Sequence, residues 1–249
     1  MAENLTTDQL KEVFSFPFRE EGWQGKLAVA AALLLFGFIP FIPFILIAGY
    51  TAQIIQNVVE TDELSLPEWG DLSRIFRHGV RLFGVGFVYS LPVLCLFVVG
   101  YGSMFLPIFT MEMGFLPEDA GLVSVLGGYA LGFMLMGLAG VLSFAMGIFL
   151  PAASTHAVVE EEFGAAFRFN EWWPIFRANW EGFLISFLLL FGGGMIAYYA
   201  SQILVFTIIL CCLYPLVISA LGAYLMIVGS VLFARAYREG RDEVEAAAG

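Results

Sequence analysis

Arg74, Arg77, His78 and Arg81 recur at i, i+3, i+4 and i+7, which places four basic side chains on one helical face. Three guanidinium groups in that spacing suit the phosphates of anionic lipid headgroups, each worth roughly 1 kcal/mol near such a surface. A solvated positive face on a helix entering a membrane is the plainer alternative. A second constellation comes in two copies: Val58-Val59-Glu60 returns as Val158-Val159-Glu160, and Ile75-Phe76-Arg77 as Ile175-Phe176-Arg177. Glu68-Trp69 has a looser echo in Glu171-Trp172. Glu60 or Glu160 is therefore expected to pair with Arg77 or Arg177 at a water-thinned interface, within one copy or across two. If all four face water instead, a pair is worth about 0–1 kcal/mol.

Catalytic chemistry finds little to work with. The chain holds 2 histidines, His78 and His156, and no nucleophile stands at a telling spacing from either. No enzyme is expected. Cys95, Cys211 and Cys212 lie in apolar surroundings and read as small buried hydrophobes. No spacing matches a zinc or haem motif, so neither metal nor cofactor is expected.

The elements that carry these residues are membrane-spanning. Hydrophobic residues make up 60% of the chain and charged ones 13%, far from a soluble balance. Charge-free apolar stretches lie between Lys26 and Glu60, Arg81 and Glu112, Asp119 and Glu160, and Glu181 and Arg235. Each is long enough to cross the hydrocarbon core as a helix. The runs are nearly continuous rather than alternating, which argues against a membrane barrel. A net charge of −11 argues against nucleic acid as a partner. Met1 to Phe18 is charged and the first apolar run starts at Leu27, so no cleavable leader is expected.

Taken in order, Thr6-Thr7-Asp8-Gln9 has capping-box form and predicts a short amphipathic helix within an interfacial segment, residues 1–26. Leu27 to Val59 is either one long tilted helix or two passes hinged at Pro40 and Pro43, each of which removes a backbone donor. Ser65-Leu66-Pro67-Glu68 is a second capping-box pattern, predicting the start of the next helix. Leu82 to Leu106 spans, with a break expected at Pro92; Pro107 to Ala120 is a loop; Leu122 to about Ala157 is one long helix with a glycine-rich surface. Phe163 to Trp180 forms a second connector with Trp172, Trp173 and Trp180 at the interface. Gly182 to Ala234 must fold back as two passes, turning at Cys211 to Pro215, and the tail, residues 238–249, frays beyond Tyr237.

The basic residues choose between one and two passes for the first apolar run. With a hairpin hinged at Pro40 and Pro43, all 11 lie on one side, which the positive-inside rule makes cytoplasmic. The expected fold is thus an all-α integral membrane protein of the cell membrane with about six transmembrane helices and both termini cytoplasmic. A single polytopic domain, residues 27–237, carries them as three like-oriented hairpins with amphipathic cytoplasmic connectors. The pseudo-repeats run roughly 14–60, 72–160 and 172–237, with Phe18-Arg19, Phe76-Arg77 and Phe176-Arg177 each preceding an outward helix.

Gly49-Tyr50, Leu66-Pro67-Glu68-Trp69, Asp71, Phe76, Gly79, Tyr89 and Pro92, continuing through Pro151-Ala152, Phe163, Ala166-Phe167 and Asn179 to Tyr224 and Ala236-Tyr237, form an ordered set. That set resembles the membrane-protein family catalogued as domain of unknown function 4013. The resemblance covers most of the chain, and the Leu-Pro-Glu-Trp connector is its most specific part. It implies a multi-pass membrane protein and brings no catalytic residues with it.

Two functions remain in view. A structural or accessory module, organising lipid, a membrane-protein partner or a homo-oligomer, fits the small-residue faces and basic connectors. A small-solute transporter or channel would use Ser201, Gln202 and Thr207 with broken backbone at Pro40, Pro43, Pro92 and Gly192 to Gly194.

Overall fold

A computed structural model describes residues 7–115, 118–205 and 212–249, and every regular element among them is helical. In chain order these are α1 (Thr7–Arg19), α2 (Trp23–Leu35), α3 (Ile42–Thr61), α4 (Leu72–Glu112) and α5 (Glu118–Val159). A 3-10 turn (Phe163–Phe167), α6 (Phe169–Ala178), α7 (Trp180–Val205) and α8 (Tyr214–Ala248) follow.

Local chemistry sets most boundaries. Gly22, at φ 74°, turns the chain from α1 into α2 in a conformation a side chain disfavours. Pro43 occupies the first turn of α3, where its missing N–H costs little. The break expected at Pro40 and Pro43 is present, because residues 36–41 separate α2 from α3. Asp62 closes α3 in the left-handed region (φ 59°). Asp71 starts α4, its Oδ1 accepting the Arg74 backbone N–H at 3.0 Å.

Several expectations are corrected. The Ser65 pattern starts no helix: Ser65 Oγ accepts from Asn57 Nδ2 at 3.3 Å, and the chain stays irregular until α4 begins. Pro92 is no break, since α4 runs through both it and Pro107, and the loop expected from Pro107 onward is helical to Glu112. A helix shielded from water tolerates one lost backbone bond more readily than reopening several. The tail does not fray at Tyr237. α8 continues to Ala248, helped by good helix formers and an Arg241–Glu245 pair four residues apart. Thr6 lies outside the described residues, as does Cys211 in the expected turn between α7 and α8.

Among the described residues five helices are long and apolar enough to cross a membrane: α3, α4, α5, α7 and α8. α2 is apolar but has 13 residues, about 20 Å of helix against a hydrocarbon core of about 30 Å. Among the described residues five helices of spanning length thus stand against the six passes expected.

The chain divides into two compact units, residues 1–85 with 149–249 and residues 86–148. In the first, α8 is the central helix, packed against α1, α2, α3, α6 and α7. It buries Ile227, Val228, Val231, Leu232 and Tyr237, while α3 buries Ile47, Tyr50, Ile54 and Val58. α3 and α4 cross with their backbones in contact. A Cβ on Gly49 would stand 1.8 Å from the Ile75 carbonyl oxygen, and one on Gly79 would stand 1.9 Å from that of Ile45. Only glycine permits that approach.

The second unit packs parts of α4 and α5 through Gly100, Gly128 and Gly132. Ser103 Oγ bridges the two helices, donating to the carbonyls of Gly100 (2.8 Å) and Gly128 (3.2 Å). Its outer face is apolar and exposed at Val98, Leu106, Val123, Phe133 and Val141. A continuous band of that kind suits hydrocarbon rather than water.

Candidate functional site: a charged clamp on the Leu-Pro-Glu-Trp connector

The irregular connector between α3 and α4 is held by one lysine. Lys26, near the start of α2, is buried, and its Nζ donates to Glu20 Oε1 (2.7 Å) and to the Leu66 carbonyl (2.6 Å). Glu68 Oε1 stands 2.8 Å away. An ammonium has three donors, and these three acceptors satisfy them all. Burial by itself would lower the Lys26 pKa, but the hydrogen bonds to Glu20 and Glu68 outweigh it and hold it above the ordinary lysine value. Glu20 works twice, because its other oxygen accepts the Leu66 backbone N–H.

Trp69 completes the clamp. Its indole N–H donates to the Lys26 carbonyl at 3.1 Å, and its ring stacks on Tyr50 with centroids 4.2 Å apart and planes within 3°. Leu66 is buried beneath. Leu66, Glu68 and Trp69 of the Leu-Pro-Glu-Trp stretch thus tie the connector to the start of α2 and to Tyr50 on α3.

A second cluster lies against α8. His156 is buried; its Nδ1 lies 2.7 Å from Tyr237 Oη and its Nε2 lies 3.1 Å from Glu171 Oε2. Neutral imidazole satisfies both contacts by donating from Nε2 and accepting from the phenol at Nδ1. Arg168 reaches Glu171 at 3.3 Å and also pairs with Glu162. The hydrogen bond from His156, with the Arg168 charge beside it, holds the Glu171 carboxyl below the ordinary range. Trp172, fully buried, donates its indole N–H to the Ala166 carbonyl at 2.9 Å.

Glu68-Trp69 and Glu171-Trp172 therefore do similar work. In each pair the carboxylate holds a buried basic side chain and the indole N–H holds a backbone carbonyl. Asn179 adds a third tie, capping α7 by accepting the Gly182 N–H (3.2 Å) while donating to the Ala236 carbonyl (3.0 Å).

The other residues singled out by sequence are placed differently. Glu60, Glu160, Arg77 and Arg177 are all exposed, and among the described residues none forms an ion pair, so the expected Glu–Arg pairing is absent. Water solvates such charges well enough that pairing gains little. Arg74 is exposed and Arg81 half-buried. Cys95 and Cys212 are exposed rather than buried, free thiols on the apolar surface.

The transport candidates are held internally. Ser201 Oγ donates to the Tyr198 carbonyl on its own helix (2.7 Å), and Gln202 Nε2 donates to Tyr214 Oη (3.2 Å). α7 runs unbroken through Gly192 to Gly194. Thr207 lies outside the described residues. No group of three or more His, Cys, Asp or Glu among the described residues is placed to hold a metal.

Sequence reasoning missed Glu20, Lys26 and the His156–Tyr237–Glu171 contact. Lys26 did carry a signal: a lone lysine at the lip of an apolar run, two turns from an aspartate-free, glutamate-rich stretch at Glu20-Glu21.

A family model described as "Protein of unknown function (DUF4013)" matches residues 32–206. The chain belongs to that family. The match takes in Tyr50, Leu66 to Trp69, His156 and Glu171, while Glu20, Lys26 and Tyr237 lie outside it. No curated protein and no solved structure matches the chain.

Proposed function

We propose that this DUF4013 protein is a structural or accessory module of the cell membrane, which organises lipid or a partner complex and carries out no catalysis. The observation that carries this reading is where its buried polar chemistry is spent. Lys26 has all three donors occupied by its own chain, and His156 both ring nitrogens. A carrier or an enzyme leaves polar groups facing a cavity so that a substrate can satisfy them. Lys26 and His156 here fasten one segment to another.

The topology proposed with it has both termini and both connectors in the cytoplasm. α2 and residues 36–41 form the outward arm of a hairpin and α3 the inward arm, giving six membrane segments in three hairpins. The Lys26–Glu68 contact supports the hairpin, since it needs both ends of that segment at one level of the membrane. Partners are membrane lipids and either a membrane protein or further copies of the chain; nucleic acid is not among them, and no cofactor is involved.

Purification from native membrane under mild detergent, with mass spectrometry of what remains bound, tests the role. A stoichiometric protein or a defined lipid complement supports it. Purified protein that moves a small solute across liposome membranes would overturn it.

A further inference from the structure

The chain carries 22 acidic side chains against 11 basic ones, so a basic group has a surplus of carboxylates from which to draw a partner. Lys26, Arg168, Arg235, Arg238 and Arg241 each have one within salt-bridge distance. Arg74, Arg77 and Arg81 do not, among the described residues, although they share one helical stripe. Asp71 stands beside them, but its Oδ1 is committed to capping α4. Glu161, whose charge reaches His78 on the same stripe, is bonded to Gln56 at 3.1 Å. α4 has no acidic residue in its first turn, and the one carboxylate at its start, that of Asp71, is the cap rather than a partner of the three arginines.

Two further observations define what would compensate them. Arg81 is half-buried, and its Nη1 is closed off from solvent without any hydrogen-bond acceptor. No carboxylate of the chain reaches this charge among the described residues, so the exposed part of the guanidinium is left to draw an anion from outside. Beside the arginine stripe runs a second one: Leu72, Phe76 and Val80, at i, i+4 and i+8, are exposed large apolar residues. One helix face thus offers guanidinium groups, and the adjacent face offers hydrocarbon contact. Free phosphate would use only the first.

We propose that Arg74, Arg77 and Arg81 bind the phosphate of an anionic lipid headgroup, with an acyl chain lying along Leu72, Phe76 and Val80. Arg81 brings a half-buried guanidinium with no carboxylate in reach among the described residues, and the planar guanidinium groups suit phosphate oxygens. This assignment rests on the membrane-module reading and gives it a lipid class.

The test is native mass spectrometry of the full chain in neutral detergent, titrated with phosphatidylglycerol, phosphatidylcholine or inorganic phosphate. Wild type should bind phosphatidylglycerol about tenfold or more tighter than phosphatidylcholine, and R74Q/R77Q/R81Q should lose about that factor. R74Q/R77Q, which leaves the half-buried Arg81 in place, should show an intermediate loss. R19Q/R177Q removes two other arginines that form no ion pair among the described residues, and should bind as wild type does. Equal losses in R19Q/R177Q, or none in the triple variant, would overturn the site. Displacement of phosphatidylglycerol by inorganic phosphate would assign the arginines to a soluble anion and overturn the lipid. Co-purifying partners should survive in the triple variant, so failure of the lipid site stays separate from failure of the module reading.

Discussion

Lys26 Nζ and Glu68 Oε1 meet at 2.8 Å, although most of α2 and all of α3 separate them along the chain. The contact fixes the start of α2 and the connector after α3 at one level, which a single straight crossing of the same residues cannot do: residues 27–59 as one helix would be about 50 Å long. Glu20 is the stronger partner of the two. Its side chain is 26% exposed against 81% for Glu68, so water screens it less, and it also holds the Leu66 N–H.

Replacing Lys26 with methionine keeps the apolar stem and removes the charge. Thermal unfolding in detergent should show a loss of about 2–3 kcal/mol, the range for a charged hydrogen bond with its partners left unpaired. Glu20→Gln should cost more than Glu68→Gln. The reverse order would mean that the exposed carboxylate, not the partly buried one, carries the clamp.

Topology follows from the same contact. Cysteines introduced at Gln24 and Glu63, both exposed, should be labelled from the same side of the membrane, with the native cysteines removed. Protection of both from an impermeant maleimide in intact cells is the expected result. Labelling from opposite sides would end the hairpin and the six-segment count together; labelling of both from outside would reverse the orientation alone.

At the α3–α4 crossing, Gly49→Ala and Gly79→Ala should each destabilise by on the order of 1–3 kcal/mol, because the new methyl meets backbone that cannot step aside. Gly137→Ala on α5, where nothing lies within 4 Å, should stay within about 0.5 kcal/mol of wild type. Chemical denaturation of the three variants under one condition decides it.

The Glu171 contacts should make stability sensitive to acid. Its carboxyl is held below its ordinary value of 4.5, so the unfolded chain takes up that proton first and acid favours unfolding. The contribution is complete above 4.5 and fades as pH falls through the lower folded value. Wild type should therefore exceed Glu171→Gln in stability near neutrality, and the gap should close in acid. A gap of the same size at every pH would assign the effect to packing.

Glu160→Arg and Arg177→Glu, combined, should give the sum of their separate effects within about 0.5 kcal/mol. Recovery of stability in the double variant would reveal a pairing that the exposed positions of both residues argue against.

The sequence by itself determined the helical membrane class, the break between α2 and α3 and the fold-back of α7 and α8. Each depends on local chemistry: long charge-free runs, and proline removing a donor where the chain can afford to turn. It also placed Tyr50 and Leu66 to Trp69 in the ordered set that resembles the family, without saying that they touch. The tertiary structure decided which charges pair. Val58-Val59-Glu60 and Ile75-Phe76-Arg77 looked like halves of an interface, yet Glu60 and Arg77 face outward. The carboxylates that matter, Glu20, Glu68 and Glu171, were chosen by which helices return beside Lys26 and His156. Hydrophobic period is a property of neighbouring residues. The partner of a buried ammonium is set by the path of the chain through space, and burial decides whether the contact is worth more than water.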